Sequence, residues 1–420
     1  MQLKYGKGKV EFDLPQNIQW QVLHKNLPFL YGSENKAIDE GIYSLAKQLA
    51  PRIAQNAKLL LIVPDHTRRC RLEIILPKLM KELEQKFNAQ IEILVANGSH
   101  VLQPEHVISD LVGEAIYKKY PVQQHDCHDE KTLHDFGKTT TGTPVRLNSK
   151  IKEADFVITI GGVLYHYFAG FGGGPKMLLP GVAAYETIRI NHRRTIDPLN
   201  GQFHRDCFEG NIETNPVYLD LAEVVRFVPN SLSLQVAMDF KGKIIEAAAG
   251  PILETQREIC SQIAQVYSLS LEKPADIVVA SAGGFPSDVN LIQAHKSIHH
   301  AFQAVKKGGH IIVLAECTEG IGSKSFLPYF EFGSAQKIGK QLLHDYKING
   351  HTALALKSKA EQVKIIFVSS LEKEIVEKTG MIPAKNLAAA WEIVEKEIVP
   401  EATGYILPKA SLIVPMTNRS

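Results

Sequence analysis

The sequence predicts an α/β protein made of two α/β domains with mainly parallel sheets. Apolar runs of strand length alternate with amphipathic segments of helix length along the chain, which is typical of parallel sheets covered by helices. The 420 residues are also more than one hydrophobic core usually serves. We therefore predict a first domain over residues 1–272 and a second domain over residues 273–420.

Polar segments directly follow three predicted strands of the first domain. The strands are the apolar runs Lys58–Pro64, Ile91–Ala96 and Phe156–Ile160. The segments after them are Asp65–Arg68, Asn97–His100 and Gly161–His192. Because ligands of parallel sheets bind at the carboxyl ends of the strands, we expect these segments to meet in one crevice. Residues 120–150, by contrast, have the composition of irregular surface structure.

The second domain repeats the alternation of strands and helices. Its predicted strands are Asp276–Ala280, His310–Leu314, Val363–Val368 and Ser411–Pro415. A helix is expected from about Asn290, with Gln293 and Lys296 on one face near its start. An amide and an ammonium at a helix N-terminus suit a carboxylate, although a solvated helix face explains the same spacing. Three histidines nearby are expected at the surface: His295, His299 and His300.

Composition excludes several classes of protein. The formal net charge is +2, so no excess of charge directs the chain to nucleic acid. The N-terminal residues lack the apolar core of a signal peptide, and no run approaches the length of a membrane span. The five cysteines are scattered without a CxxC pair, which favours a reducing compartment over a disulfide framework. We expect a cytoplasmic protein with no nucleic-acid or membrane partner.

The segment Gly161–His192 concentrates residue types that carry chemistry. It contains His166, Gly172, Gly173, Gly174, Lys176 and His192. Glycines let a ligand approach the backbone closely, and the lysine after them could bind a phosphate or carry a covalent group. A surface lysine after a tight turn is the alternative. The spacing is neither that of a P-loop nor GxGxxG, so no motif supports a standard NTPase or dinucleotide site.

The other two loops extend this candidate site. Histidines transfer protons near neutral pH and bind metals, so three of them could supply two bases and one metal ligand. They are His100, His166 and His192. Asp65 and Arg68 add a carboxylate and a planar donor, although Asp65 could instead cap a helix. The histidines of His125–His128 lack further ligands in the sequence, and we expect no metal there.

Together these residues resemble the nickel-dependent lactate racemase family. The matching motifs are Asp65-His-Thr-Arg68, Gly98-Ser-His100, His166 with Lys176 ten residues later, Asn191-His192, and Asn290-Leu-Ile-Gln293 with Lys296. The resemblance extends over nearly the whole chain. It implies an isomerase, either a racemase or an epimerase, that inverts C2 of a 2-hydroxy acid. It also implies an active-site cleft between the two domains.

The resemblance implies a cofactor and the residues that hold it. The cofactor of that family is the nickel-pincer nucleotide, which would be attached covalently to Lys176. The three glycines before Lys176 and the side chain of Thr67 would contact it, and His192 would bind the nickel. Proteins of cofactor biosynthesis are therefore expected partners, together with a small 2-hydroxy acid.

The resemblance also implies how substrate would be bound and inverted. His100 and His166 would form the acid/base pair, with Asp65 beside His100. Three further residues would bind the substrate: Arg68, Gln293 and Lys296. The C2–H bond of a 2-hydroxy acid is not acidic enough for a simple base, and no side chain accepts hydride, so a cofactor is required. Two bases on opposite sides of the intermediate ketone explain inversion.

Some positions differ from the pattern of lactate racemases. Ile292 stands where those enzymes carry Tyr, and Val101 stands where Arg is expected. The segment 348–352 lacks the Trp that closes the lactate pocket. These differences leave room for a longer or more polar 2-hydroxy acid, including a sugar acid.

Two other functions fit the same α/β layers. A nicotinamide-dependent 2-hydroxy acid dehydrogenase would need a dinucleotide site, and the missing GxGxxG argues against it. A non-catalytic protein that binds organic acids or nucleotides would have no use for the set of histidines.

Overall fold

The computed structural model describes residues 1–25, 33–68 and 70–417. Its strands in chain order are β1 (Gln2–Tyr5), β2 (Gly8–Glu11), β3 (Ile18–Val22), β4 (Lys58–Pro64), β5 (Gln90–Ala96), β6 (Val122–Gln124), β7 (Leu133–Lys138), β8 (Pro144–Asn148), β9 (Phe156–Gly162), β10 (Tyr165–His166), β11 (Gly170–Phe171), β12 (Ser231–Met238), β13 (Ile244–Gly250), β14 (Ser268–Leu271), β15 (Ala275–Ser281), β16 (Val305–Leu314), β17 (Lys364–Val368), β18 (Ile382–Ala384), β19 (Ala402–Leu407) and β20 (Val414–Thr417).

Helices connect most of these strands. They are α1 (Glu34–Leu49), α2 (Leu72–Phe87), α3 (Glu105–Val112), α4 (Glu114–Lys119), α5 (Lys150–Glu153), α6 (Tyr185–Arg193), α7 (Pro216–Val224), α8 (Ile252–Tyr267), α9 (Leu291–Ala304), α10 (Ala335–His344), α11 (Gly350–Ala360), α12 (Lys373–Lys378) and α13 (Leu387–Glu395). Short 3₁₀ turns lie at Glu130–Thr132, Gly174–Met177, Val225–Phe227 and Leu327–Phe332. Among the described residues, no helix is long and apolar enough to cross a membrane.

The chain divides into two compact units. The first unit comprises the described residues within Pro28–Arg194 and Asp206–Val266. The second unit comprises those within Met1–Leu27, Thr195–Arg205 and Tyr267–Ser420. The predicted division at residue 272 is contiguous, and this one is not. The difference arises because β3 pairs in parallel with β19 and so joins the start of the chain to the second sheet.

The first unit is built on a sheet in the order β13-β12-β9-β4-β5-β6. Every neighbouring pair is parallel except β12 and β13 at one edge. β4 is buried along its length after Lys58, as its apolar run predicts. Leu59, Leu61 and Val63 pack with buried residues of α1 and α2 on one face, whereas Leu60 and Ile62 alternate to the other side.

The second unit contains a sheet in the order β18-β17-β16-β15-β19-β3, in which all neighbouring pairs are parallel. Val278 and Ala280 pack with α9 on one face. Ile277 and Val279 pack on the other face with α13 and with Leu3 of the N-terminal hairpin. Helices thus cover both faces, and the predicted α/β class with two mainly parallel sheets is confirmed.

Residues 120–150 are regular, contrary to the expectation from composition. β7 and β8 form an antiparallel hairpin whose turn spans residues 139–143. β7 has no buried residue, so it has no apolar run to mark it in the sequence. The threonines of the hairpin turn donate hydrogen bonds to Asp220 of α7.

Candidate active site

The three polar loops lie at one edge of the first sheet. β4 is flanked by β9 and β5, and the three strands run in the same direction. The loops that follow them therefore leave the sheet at its carboxyl edge. The backbone N–H of Gly98 donates a 2.9 Å hydrogen bond to the carbonyl of Gly181, which ties the second loop to the third. The loops meet as the parallel order predicts.

Asp65 and His100 form the first part of the site. Asp65 Oδ2 contacts His100 Nδ1, and Asp65 Oδ1 accepts hydrogen bonds from the Thr67 backbone N–H at 2.9 Å and the Thr67 hydroxyl at 2.6 Å. Burial raises the pKa of Asp65, but the hydrogen bond and charge of His100, the hydrogen bond from Thr67 and the charge of Arg68 outweigh burial and lower it. The carboxylate thus orients His100 with Nδ1–H toward Asp65 and the Nε2 lone pair available to a proton.

The buried ring of Phe168 joins three further candidate residues. Its centroid lies 4.4 Å from that of the His166 ring and 5.1 Å from that of the His192 ring, in edge-on arrangements. The Lys176 Nζ lies 5.1 Å from the same centroid. Because one buried side chain contacts all three, His166, Lys176 and His192 surround a single small region.

Lys176 has an unusual electrostatic environment. It lies in the 3₁₀ turn Gly174–Met177. Removal of its ammonium from water lowers the pKa of Lys176 to about 7, with a further contribution from the positive charge of Arg68. The Lys176 turn also packs against β4, the strand that leads into the Asp65–Arg68 loop. Near neutral pH a large fraction of the amine is therefore uncharged and nucleophilic.

Two of the three glycines before Lys176 have a structural role. Gly173 and Gly174 have φ values of +66° and +51°. A Cβ at Gly173 would lie 2.6 Å from Gln235 Oε1, and one at Gly174 would lie 2.6 Å from Gln256 Cδ. Gln235 accepts a 2.9 Å hydrogen bond from Gly174 N–H, and Gln256 donates one of 2.9 Å to the Gly172 carbonyl. The glycines admit these two side chains, and their contact with a cofactor stays a prediction.

Substitution of Gly174 by alanine is expected to destabilise the protein by about 1–3 kcal/mol. Alanine would combine a strained positive φ with overlap against Gln256. Gly172→Ala is the matched control because the nearest atom to its Cβ would be the Leu164 carbonyl oxygen at 3.7 Å. Urea unfolding of both variants measures the difference, and equal stability of the two would contradict this account of the glycines.

Gln293 and Lys296 lie at the start of α9 in the second unit. Asn290 caps the helix by accepting a 3.0 Å hydrogen bond from Gln293 N–H, as the predicted start requires. Lys296 Nζ donates to Gln293 Oε1 at 3.1 Å, so the two side chains share one face. Their role in substrate binding and the cleft between the domains stay predictions.

The expectation that the three histidines of α9 lie at the surface is wrong. His295, His299 and His300 are all buried. α9 packs closely on β15, β16 and β20, and His300 Nδ1 lies 2.6 Å from the Ala410 carbonyl oxygen. Because these side chains are polar, the sequence does not indicate that α9 is buried on most of its circumference.

His125 is a structural residue. Its ring is fully buried, with Nε2 3.0 Å from the Ala183 carbonyl oxygen and Nδ1 3.3 Å from Asn148 Nδ2. In the described part of the chain, no group of three or more histidine, cysteine or acidic side chains is arranged to hold a metal ion. His125 instead links the end of β6 to the segment that precedes α6.

The stability of the protein is expected to fall as the pH drops below about 6.5, in part because of His125. Burial lowers the pKa of His125, although the Ala183 carbonyl and the charge of Asp126 act in the opposite direction. The unfolded chain therefore takes up this proton first, which favours unfolding in acid. His125→Gln keeps a donor for Ala183 and should lose less stability than the wild type between roughly pH 7.5 and 5.5. Equal losses in urea unfolding would contradict the assignment.

Sequence reasoning missed Phe168, Gln235 and Gln256. A glutamine within the apolar run of β12 is a signal in itself, because a buried amide needs partners. Gln256 lies on α8 and Phe168 in a loop, and nothing in their local sequence separates them from ordinary helix and loop residues.

Comparison with known proteins places this arrangement in a class. The family model for the lactate racemase N-terminal domain matches residues 5–202 of the sequence. The family model for the lactate racemase C-terminal domain matches residues 271–414. A lactate racemase of Thermoanaerobacterium thermosaccharolyticum is 28% identical over 428 residues, which cover 99% of this chain and 98% of that protein. A lactate racemase of Lactiplantibacillus plantarum is 31% identical over 69% of this chain and 67% of that protein.

Solved structures agree with this result. The lactate racemase apoprotein from Thermoanaerobacterium thermosaccharolyticum superposes with a TM-score of 0.88 at 27% identity, and the match covers 99% of both chains. A protein from Thermotoga maritima shares the fold with a TM-score of 0.66 at 15% identity, over 93% of this chain and 100% of that one. The protein belongs to the lactate racemase family.

The residues present fit the cofactor of the family, the nickel-pincer nucleotide. Covalent attachment needs an amine that is uncharged near neutral pH, and the lowered pKa of Lys176 provides one. A nickel ligand needs an imidazole held in one orientation, and His192 Nδ1 lies 3.1 Å from Asn191 Oδ1 in the last turn of α6. Lys176 and His192 both contact the ring of Phe168.

Proposed function

We propose that this protein is a racemase or epimerase that inverts C2 of a 2-hydroxy acid and carries a nickel-pincer nucleotide on Lys176. The observation that carries the proposal is the grouping of His166, Lys176 and His192 around the ring of Phe168. The Asp65–His100 pair, from the loops after β4 and β5, adds a carboxylate and a third histidine to this group.

Three residues have roles toward the cofactor. Lys176 holds it covalently, His192 binds its nickel, and Thr67 contacts it from the first loop. When bound, the nickel-pincer nucleotide supplies an electron-poor centre that accepts the C2 hydrogen of the substrate with its electron pair and returns it. The lowered pKa of Lys176 supports the tether because it allows the amine to act as a nucleophile.

His100 and His166 move the hydroxyl proton. One histidine takes this proton as the C2–H bond breaks, which leaves a planar 2-oxo acid. The 2-oxo acid then turns its other face toward the hydride, and return of the hydrogen with a proton donated to the oxygen by the second histidine gives the opposite configuration. Asp65 supports His100 in this role because the carboxylate fixes its Nδ1–H and stabilises the charged ring.

Cationic and amide side chains bind the substrate carboxylate. Arg68 is exposed at the end of the first loop, and its positive charge contributes to the lowered pKa of Lys176. Gln293 and Lys296 supply an amide and an ammonium from α9. Val101 follows His100 directly and is 78% exposed. Its short apolar side chain gives a substrate more room than an arginine there would, which supports an acid larger than lactate.

A screen of 2-hydroxy acids by chiral chromatography tests this function. The protein is co-expressed with the enzymes of cofactor biosynthesis, and protein expressed without them serves as the control. We expect inversion of at least one acid by the loaded protein only. Formation of a 2-oxo acid with added NAD, or binding of acids without inversion, would replace the proposal by a dehydrogenase or a binding protein.

A further inference from the structure

We propose that Asn191 and Asp220 are positioning residues that hold His192 in the tautomer with its lone pair on Nε2. The inference rests on the proposed function only where it makes Nε2 the ligand of nickel. All three residues are buried in the first unit. Asn191 and His192 lie in the last turns of α6, and Asp220 lies on α7.

The orientation of the Asn191 amide follows from its partners. Its Nδ2 donates hydrogen bonds to the Val217 carbonyl at 3.1 Å and to Asp220 Oδ2 at 2.9 Å. A carbonyl and a carboxylate oxygen only accept, so the NH₂ group must face them. Asn191 Oδ1 is then the atom that lies 3.1 Å from His192 Nδ1.

The orientation of Asn191 in turn determines the tautomer of His192. An amide oxygen cannot donate, so the hydrogen of this contact must reside on His192 Nδ1. A neutral imidazole with a hydrogen on Nδ1 carries its lone pair on Nε2. A metal-binding histidine needs this division of roles, in which one ring nitrogen binds the metal and the other donates to a fixed acceptor.

Asp220 is held in place by partners from the β7–β8 turn and from the end of α6. Its carboxylate accepts hydroxyl hydrogen bonds of 2.9 Å from Thr139, 2.7 Å from Thr141 and 2.9 Å from Thr143, all in the β7–β8 turn. Arg194 Nε, just after α6, lies 3.3 Å from Asp220 Oδ2. With Asn191 these make four hydrogen-bond donors and one ion-pair partner around one carboxylate. Asp220 therefore presents a fixed acceptor to Asn191 and prevents the amide from turning over.

The first test is the tautomer of His192 in the wild-type apoprotein, which requires neither cofactor nor activity. Nitrogen NMR of ¹⁵N-histidine-labelled protein is recorded at about pH 8.5, where an ordinary imidazole is neutral. His192→Gln assigns the signals by their disappearance. We expect a protonated Nδ1 and a lone pair on Nε2. A hydrogen on Nε2 would overturn the inference.

The second test asks whether Asn191 is the cause. In Asn191→Leu, we expect the two tautomers of His192 to mix. Nickel retained by co-expressed protein after gel filtration should fall about tenfold, as is typical when the hydrogen-bond partner of a metal ligand is lost. A purely structural asparagine would change stability and leave the tautomer as it was. An unchanged tautomer in Asn191→Leu would therefore overturn the inference and leave the proposed function intact.

A matched pair of threonine variants keeps the test valid if Asn191→Leu does not fold. Thr143→Val removes a donor to Asp220 Oδ2, the oxygen that Asn191 contacts, and should shift the tautomer ratio in the same direction. Thr140→Val removes a hydroxyl of the same turn that bonds to Glu223, at 2.7 Å, instead of to Asp220, and should not shift it. Equal behaviour of the pair would contradict the role of Asp220. If His192→Gln retained nickel, the proposed metal ligand would be wrong while the positioning of His192 would stand.

Discussion

Lys176→Ala is expected to abolish both the covalent adduct and the inversion of substrate. Without a tethered cofactor, the C2 hydride has no acceptor, so the rate should fall by at least about 10⁴-fold. Lys176→Arg should be equally inactive, because a guanidinium stays protonated and cannot form the bond. Intact mass and chiral chromatography of the co-expressed proteins measure the two effects.

Two controls separate this effect from the general loss of a positive charge. Lys152→Ala removes an exposed lysine of the same unit and should keep the adduct and the activity. The adduct on wild-type protein should also form faster as the pH rises through about 7, since the pKa of Lys176 lies there. An adduct that survives in Lys176→Ala would show that the cofactor is attached elsewhere.

Asp65→Asn is expected to lower kcat by about 10²–10⁴-fold with a much smaller effect on KM. The oxygen of the new amide must stay toward the Thr67 N–H, because that group only donates. The NH₂ group then faces His100 Nδ1 in place of Asp65 Oδ2. It would force the lone pair of His100 onto Nδ1 and a hydrogen onto Nε2, which disables the base.

The exposed Asp110 provides the control for Asp65. Asp110→Asn removes the same charge from α3 of the first unit and should leave kcat within about twofold of the wild type. The same histidine NMR experiment can report the tautomer of His100 in Asp65→Asn. Activity within a few-fold of the wild type, with the tautomer of His100 reversed, would exclude His100 as the base.

Much of the first unit could be predicted because its information is local. The apolar run of β4 and the polar residues after it identify both a buried strand and a ligand loop, and the parallel order of the strands brings the loops together. Lys176 stands out for the same reason, since the glycines before it mark a special backbone. The residue types of the site are therefore evident from the sequence alone.

The features that were missed depend on partners far away in the chain. β3 and β19 pair across almost the whole sequence, so no local pattern assigns the start of the chain to the second unit. The role of Asp220 depends in part on hydrogen bonds from threonines that lie about 80 residues earlier, in a hairpin with no apolar run. Phe168 lies near its partners in the sequence, but a single aromatic residue in a loop does not indicate that two histidines and a lysine surround its ring.

The fate of the C2 hydrogen tests the central claim most directly. A 2-hydroxy acid that the loaded protein inverts is supplied with deuterium at C2 in ordinary water, and the opposite enantiomer is isolated and analysed by mass spectrometry. If C2 hydrogen leaves and returns with its electron pair while His100 and His166 handle only the hydroxyl proton, the product keeps its deuterium. Replacement of the deuterium by solvent hydrogen at the rate of inversion would mean that a base removes the C2 proton, and the account would be wrong.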